Sequence, residues 1–222
     1  MSERSNEVVL KTIVCHRTGG SNPSLSSIKS MKIVENFLPE LEYKTLLKAV
    51  EGKDFDWFYM PYTGYSKLHS GTNVTESGQF VHPFFYHGQS FKFIELIHPF
   101  KDKLVQHGVK PTNLLHIKAN MLIKDSSYPA NHFHPPHSDV EEKGKFCTLL
   151  YYLNDSDGDT YMFNQTYNSM PDFKNRTDEL VVTKQITPKA NTAVIFDSTI
   201  IHTSSSPINT ERRMVVNCVF EL

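Results

Sequence analysis

From Leu114 to Lys124 the chain alternates with a period of two: Leu115, Ile117, Ala119, Met121 and Ile123 fall on one side, His116, Lys118, Asn120 and Lys124 on the other. Successive side chains of a strand point to opposite faces, so this run predicts a half-buried strand. Five more short runs follow: KFCTLLYYLN, DTYMFNQ, LVVTKQITP, NTAVIFD and the terminal RRMVVNCVFEL, with turn signals such as DSDGD and PKAN between them. Many short strands after a first half that holds the helical patterns constrain the chain to a mainly β fold with flanking helices. The architecture this suggests is an antiparallel jelly roll.

In the first half, Tyr43, Leu46, Leu47 and Val50 recur at i, i+3, i+4 and i+7, with Pro39 suited to a first turn and Gly52 to a stop. A second helical pattern runs through SFKFIELIHPFKDKLVQHG, where Pro99 should kink or split it. The aromatic stretch between them, which carries the sole tryptophan, Trp57, reads as core-facing strands joined by a loop, or as an aromatic-lined lid. The Gly/Ser/Pro-rich run over 18–29 marks residues 1–30 as an extension and linker. The expected organisation is one domain over 31–222, with helices and aromatic strands in 31–110 and the jelly-roll core in 111–222. The break over 165–179 is a candidate flap.

Charge and cysteine content exclude several roles. The 23 Lys plus Arg balance 24 Asp plus Glu, and no basic block occurs, so neither a nucleic acid nor an anionic membrane is an expected partner. Cys15, Cys147 and Cys218 are odd in number and far apart, as expected for reduced, buried thiols. No signal-peptide-like segment opens the chain, and nothing approaches the roughly 20 apolar residues of a membrane span, so a cytoplasmic location is expected.

The chemistry concentrates in HFHPPHSDV, residues 132–140. In a strand, His137 and Asp139 share a face and can bind one ion together. The best third ligand is His202 in AVIFDSTIIHTSSSP, at the polar end of an apolar run where the mouth of a jelly roll would lie. Two histidines and one carboxylate occupy one octahedral face and leave three positions open, which suits non-haem Fe(II) oxygen chemistry. Beyond His202, Arg212 and Arg213 head the last apolar strand. A cation there costs free energy unless an anion answers it, and a guanidinium pairs bidentately with a carboxylate, so an acidic cosubstrate is its natural partner. Periodicity leaves open which of the two arginines faces inward.

With these residues in view, the chain resembles the Fe(II)- and 2-oxoglutarate-dependent dioxygenases, in particular the prolyl 4-hydroxylase-like branch with its small bacterial and phage-type members. The resemblance rests on LLHIKANMLIK, the HSD of PPHSDV, FCTLLYYLNDSDGDTYMF and ANTAVIFDSTIIHTSSSPINTERRMVVN, about the second half of the chain. It implies a double-stranded β-helix barrel, with His137, Asp139 and His202 as catalytic iron ligands. It also implies Arg213, with Arg212 as the alternative, and Tyr152 as the residues that bind the far carboxylate of 2-oxoglutarate. The cofactors implied are Fe(II), 2-oxoglutarate and O2, with ascorbate as reductant. The reaction implied is decarboxylation to succinate and CO2 coupled to hydroxylation of an unactivated C–H bond, with a prolyl residue of a peptide or protein as the favoured substrate. Collagen-type members carry lysine where Arg213 stands.

Three other readings compete. Oxygenases that dealkylate nucleic acids show a further arginine beyond the cosubstrate arginine, and nothing basic follows Arg213. A small-molecule substrate is compatible with the same motifs. A cupin-like jelly roll that binds a metal or ligand without catalysis would have no use for Arg213. His132 and His134 are expected to be loop residues near the mouth, and His87, His98, His107 and His116 surface or capping residues. DSDGD lacks the later ligands of a calcium loop and reads as a turn.

Overall fold

The computed structural model describes residues 31–63, 74–75, 77–169 and 180–222. The extension over 1–30, Cys15 and most of the candidate flap lie outside the described residues. In chain order the elements are β1 (Lys32–Glu35), α1 (Glu40–Val50), β2 (Phe58–Met60), β3 (Gln79–Tyr86), β4 (Gln89–Ser90), a 3-10 turn (Ile94–Ile97) and α2 (His98–Gln106). The second half holds β5 (Asn113–Ile123), β6 (Phe146–Tyr152), β7 (Thr160–Thr166), β8 (Val182–Ile186), β9 (Thr192–Asp197), β10 (Ile200–Ser204) and β11 (Arg212–Glu221).

The strands form two antiparallel sheets, a large one in the order β1-β9-β6-β11-β5-β3-β2, with β4 on β3, and a small one in the order β10-β7-β8. The chain passes from the large to the small sheet after β6 and again after β9, which is the jelly-roll arrangement expected from the strand pattern. One face of the large sheet, with Ile117, Ala119, Leu149, Met214, Val216 and Cys218, packs on Leu46 and Val50 of α1 and Phe100 and Leu104 of α2. Its other face joins Leu150, Tyr152, Val194, Phe196 and Val215 to Met162 and Ile186 of the small sheet. Each buried Val, Leu, Ile, Phe or Met among these contributes about 1.5–3 kcal/mol, so the helices and the small sheet are held against opposite faces of one sheet.

The period of two therefore has a physical meaning in β11. Arg213, Val215, Asn217 and Val219 face the lumen, and their even-numbered neighbours face the helices. Pro99 splits the second helical pattern as expected, into the 3-10 turn and α2, where a proline at the start lacks only an N–H that had no partner. Pro39 lies at the cap just before α1. Asn191, in the left-handed region at φ 56°, docks that helix end on the barrel. Its Oδ1 accepts from the Leu38 N–H (2.9 Å) and the Tyr151 hydroxyl (2.8 Å), and its Nδ2 donates to the Leu38 carbonyl (2.9 Å).

One expectation fails. AVIFDSTIIHTSSS is two strands, β9 in the large sheet and β10 in the small one, so His202 lies within β10, opposite Met162, rather than at a strand end. Asp197 causes the reversal, since its Oδ1 accepts from both the N–H (2.9 Å) and the hydroxyl (2.6 Å) of Thr199. Cys147 and Cys218 are buried free thiols. Among the described residues, no helix is long and apolar enough to cross a membrane.

Candidate metal centre

Pro135 and Pro136 have no N–H to extend a ladder, so HFHPPHSDV forms no regular strand, contrary to the assumption behind the His137–Asp139 pairing. An isolated antiparallel bridge does the same work. His137 and His202 exchange both backbone hydrogen bonds, at 2.9 and 2.8 Å, and the Asp139 N–H donates to the Ser198 carbonyl at 3.0 Å. The motif is thereby stitched to β10 and to the β9–β10 turn, so all three candidate ligands converge at one end of the lumen.

The ligand atoms of His137, Asp139 and His202 lie within 4.8 Å of one another. His137 Nε2 is 4.0 Å from Asp139 Oδ1, and His202 Nε2 is 3.7 Å from Asp139 Oδ2. Both separations are too long for hydrogen bonds and suit three donors around a shared ion. Each imidazole donates its Nδ1–H to a carbonyl, His202 to Ile200 (2.9 Å) and His137, more loosely, to Pro135 (3.4 Å), so the Nε2 lone pairs point to the shared space. Thr148 Oγ1, 2.5 Å from Asp139 Oδ2, and Asn217 Nδ2, 3.5 Å from Oδ1, aim the carboxylate. Burial alone would raise the Asp139 pKa, but His202, His137, His116 and the Thr148 hydroxyl outweigh it and hold it at about 2. Desolvation pulls both His137 and His116 down to about 4. An ionised Asp139 carboxylate and a neutral His137 imidazole are the forms in which these groups bind a divalent ion.

Deeper in the lumen lies Arg213, only 3% exposed. Its Nη2 donates to Thr160 Oγ1 at 2.8 Å, and the Tyr152 hydroxyl donates to the same oxygen at 2.8 Å. The guanidinium lies 5.8 Å from the Tyr152 ring centroid, and its Nε is buried without a partner. A buried cation with a neutral partner and an orphaned N–H fits an incoming carboxylate, which would answer both charge and donor. Gly158 makes room for it: a Cβ there would come within 3.0 Å of Arg213 Cδ and 2.7 Å of the Ser205 carbonyl oxygen. Arg212 points the other way and pairs with Glu51 at the surface.

Other expectations need correcting. His132 and His134 lie in irregular chain, as expected of loop residues, but they are buried and fully hydrogen-bonded. His116 is neither a surface nor a capping residue, because it lies on the lumen side of β5, opposite Val219. DSDGD is the expected turn, in which Asp157 accepts from the backbone N–H groups of Asn209 (2.8 Å) and Thr210 (3.0 Å). The sequence did not single out Thr160, Asn217 or Lys118. Their signal was the alternation of β5, β7 and β11, which gains meaning only once the lumen face is known.

Fold and centre together define a jelly-roll protein with a two-histidine, one-carboxylate face. The model of the 2OG-Fe(II) oxygenase superfamily matches residues 124–221, the segment that carries His137, Asp139, His202 and Arg213. Among solved structures, the chain is similar to HygX from Streptomyces hygroscopicus, with nickel and 2-oxoglutarate bound, at TM-score 0.58, 10% identity, and 86% of this chain and 82% of that chain covered. It is similar to SnoK, a non-haem alpha-ketoglutarate-dependent carbocyclase from nogalamycin biosynthesis, at TM-score 0.56, 11% identity, and 86% and 79% coverage. An oxidoreductase of the 2OG-Fe(II) oxygenase family from Burkholderia pseudomallei gives TM-score 0.56, 12% identity, and 86% and 84% coverage. At such identities the likeness establishes the fold. A comparison with curated protein sequences finds no match.

Proposed function

We propose that the protein is an Fe(II)- and 2-oxoglutarate-dependent dioxygenase that hydroxylates an unactivated C–H bond. The observation that carries the reading is Arg213, a buried guanidinium with an unsatisfied N–H in the same lumen as His137, Asp139 and His202. A metal-binding jelly roll without catalysis would bear the cost of that buried charge for no return.

His137, Asp139 and His202 would hold Fe(II), with the Nδ1–H bonds fixing the tautomers and Thr148 fixing the carboxylate. Arg213, Tyr152 and Thr160 would hold the far carboxylate of 2-oxoglutarate, and the apolar lumen around Leu150, Val194 and Val215 would keep water from the reacting groups. When bound, the iron and cosubstrate supply oxidation by O2, with loss of CO2 from 2-oxoglutarate, and ascorbate is the reductant expected to keep the iron ferrous.

Within this class the substrate to test first is a prolyl residue of a peptide. The support is the resemblance of the second half of the chain to the prolyl 4-hydroxylase-like branch, and the exposed Phe58 and Tyr59 on β2, which suit a peptide-binding rim. Anaerobic titration with Fe(II) and 2-oxoglutarate should give the visible charge-transfer band of chelated 2-oxoglutarate, absent in Asp139→Ala. No band in the unaltered protein would sink the oxygenase reading. Mass spectrometry of proline peptides after aerobic turnover tests the narrower one, and 2-oxoglutarate turnover without a mass gain on any of them would remove proline.

A further inference from the structure

Lys118 is a half-buried cation on the lumen side of β5, where it faces Asn217 of β11 and Pro83 of β3. Asn217 in turn reaches Asp139, so the lysine stands one strand away from the metal centre. Burial pulls the Lys118 pKa down, and Asp139 is the carboxylate in reach that opposes this. No hydrogen bond or ion pair ties down its ammonium among the described residues. Three other polar atoms on this wall are buried without partners: His116 Nε2, Asn120 Oδ1 and Asn217 Oδ1. Asn120 spends its Nδ2 on Gln79 Oε1 (2.7 Å), which fixes the amide with its oxygen unused.

Charge counting says what this wall lacks. A divalent ion outweighs Asp139 by one charge, and the near carboxylate of 2-oxoglutarate cancels that excess. The far carboxylate answers Arg213, which also has Asp159 in electrostatic reach. Lys118 is left with no counter-charge, beside two amide oxygens that need donors. We propose that Lys118 anchors the substrate through a carboxylate, with N–H or O–H groups of the same molecule donating to Asn120 and Asn217. The substrate is then an acid with neighbouring hydrogen-bond donors, oxidised at a carbon within a few bonds of that carboxylate. For a prolyl peptide, the acid is an acidic side chain or the chain terminus beside the proline.

This inference rests on the oxygenase reading, and the experiment separates the two. The full chain is loaded anaerobically with Fe(II) and saturating 2-oxoglutarate, the visible band is recorded, and trifluoroacetate is added while its 19F line is followed. A carboxylate seated at Lys118 lies near the paramagnetic ion and broadens, with the band unchanged. The neutral trifluoroacetamide does not. Lys118→Met should weaken the probe's apparent affinity at least tenfold, Lys118→Arg should restore it, and both should keep the band and the 2-oxoglutarate midpoint, which shows that they fold. Broadening that survives in Lys118→Met, equal broadening of the amide, or no broadening at all overturns the proposal. So does a loss of 2-oxoglutarate binding in Lys118→Met, since the ammonium would then serve the cosubstrate. Absence of the band in the unaltered protein is the failure of the oxygenase reading itself.

Discussion

Two pairs of histidines, His132 with His134 and His137 with the sequence-distant His202, occupy one neighbourhood and meet different fates. His132, His134, His137 and His202 all have Nδ1 on a backbone carbonyl, at 2.8, 2.9, 3.4 and 2.9 Å. The difference lies in Nε2. That of His132 accepts from the Ser206 N–H (3.1 Å) and that of His134 meets the Ser206 hydroxyl (3.0 Å), so a single serine satisfies both. Among the described residues, no donor reaches Nε2 of His137 or His202, which share their space with Asp139. The first pair is complete as folded, and the second is left open, as the proposed metal site requires. An HxH and an HxD look equally metal-like in a sequence, and the fate of one lone pair separates them.

The sharpest way to break this comparison is to remove a member of the unsatisfied set. His137→Ala, Asp139→Ala or His202→Ala should weaken Fe(II) or Ni(II) binding by more than roughly 100-fold, beyond the 10- to 100-fold typical of outer-shell partners. Calorimetric titration reads the loss, and circular dichroism should show the barrel intact. His132→Gln and His134→Gln should leave metal affinity within a few-fold. Equal losses from both pairs would mean that the HxH also belongs to the centre.

The arginine doublet carries the same contrast one strand further on. Arg212 has its surface partner in Glu51, and Arg213 has a buried, orphaned Nε. Arg213→Ala should raise the 2-oxoglutarate midpoint of the charge-transfer band by roughly 30- to 150-fold, as expected for a charged hydrogen-bonded contact of about 2–3 kcal/mol. Arg212→Ala should change it less than about twofold, because exposed ion pairs contribute little. Gly158→Ala should mimic part of the Arg213 loss through its close approach to Arg213 Cδ.

The satisfied pair should show itself in stability. Desolvation draws His134 from 6.5 down to about 4, with the Thr75 carbonyl opposing and His132 and Arg213 adding to the shift. A depressed folded pKa means that below pH 6.5 the unfolded chain takes up a proton that the native state refuses. Stability is therefore present above pH 6.5 and is lost as pH falls toward 4, by about 2 kcal/mol between pH 6.5 and 5 from this residue. Denaturant titrations at several pH values should show the slope, and His134→Gln should remove its share. An unchanged slope would mean that His134 is already protonated in the fold.

These contrasts explain what could be read from the residues. The strands and helices were legible because burial imposes a period of two on β5 and β11 and a helical period on α1, and because Pro99 cannot sit mid-helix. The break after Asp197 was not, because STIIH continues the apolar run while the turn comes from one carboxylate folding back on Thr199. For the centre, ligand types and spacing pointed to His137, Asp139 and His202, but orientation came from a backbone bridge that the diproline makes irregular. Lys118 and Thr160 stayed hidden because alternation fixes which residues share a face and leaves open which face is the lumen.

The smallest expected effect concerns the one ligand that is already partly satisfied. Thr148 sits between Asp139 Oδ2 (2.5 Å) and Ser198 Oγ (2.9 Å), and its single proton can serve only one of them at a time. If it is spent on Asp139, the bond keeps the carboxylate turned toward the two Nε2 atoms and helps to hold its pKa low. Thr148→Val keeps the shape and removes the proton, at a net cost of about 1 kcal/mol, or roughly fivefold in Ni(II) affinity. Thr148→Ser should restore it. A rise in affinity would show instead that the hydroxyl competes with the ion for the Oδ2 lone pair, so that Asp139 counts among the groups already satisfied by protein and the two imidazoles alone stand waiting.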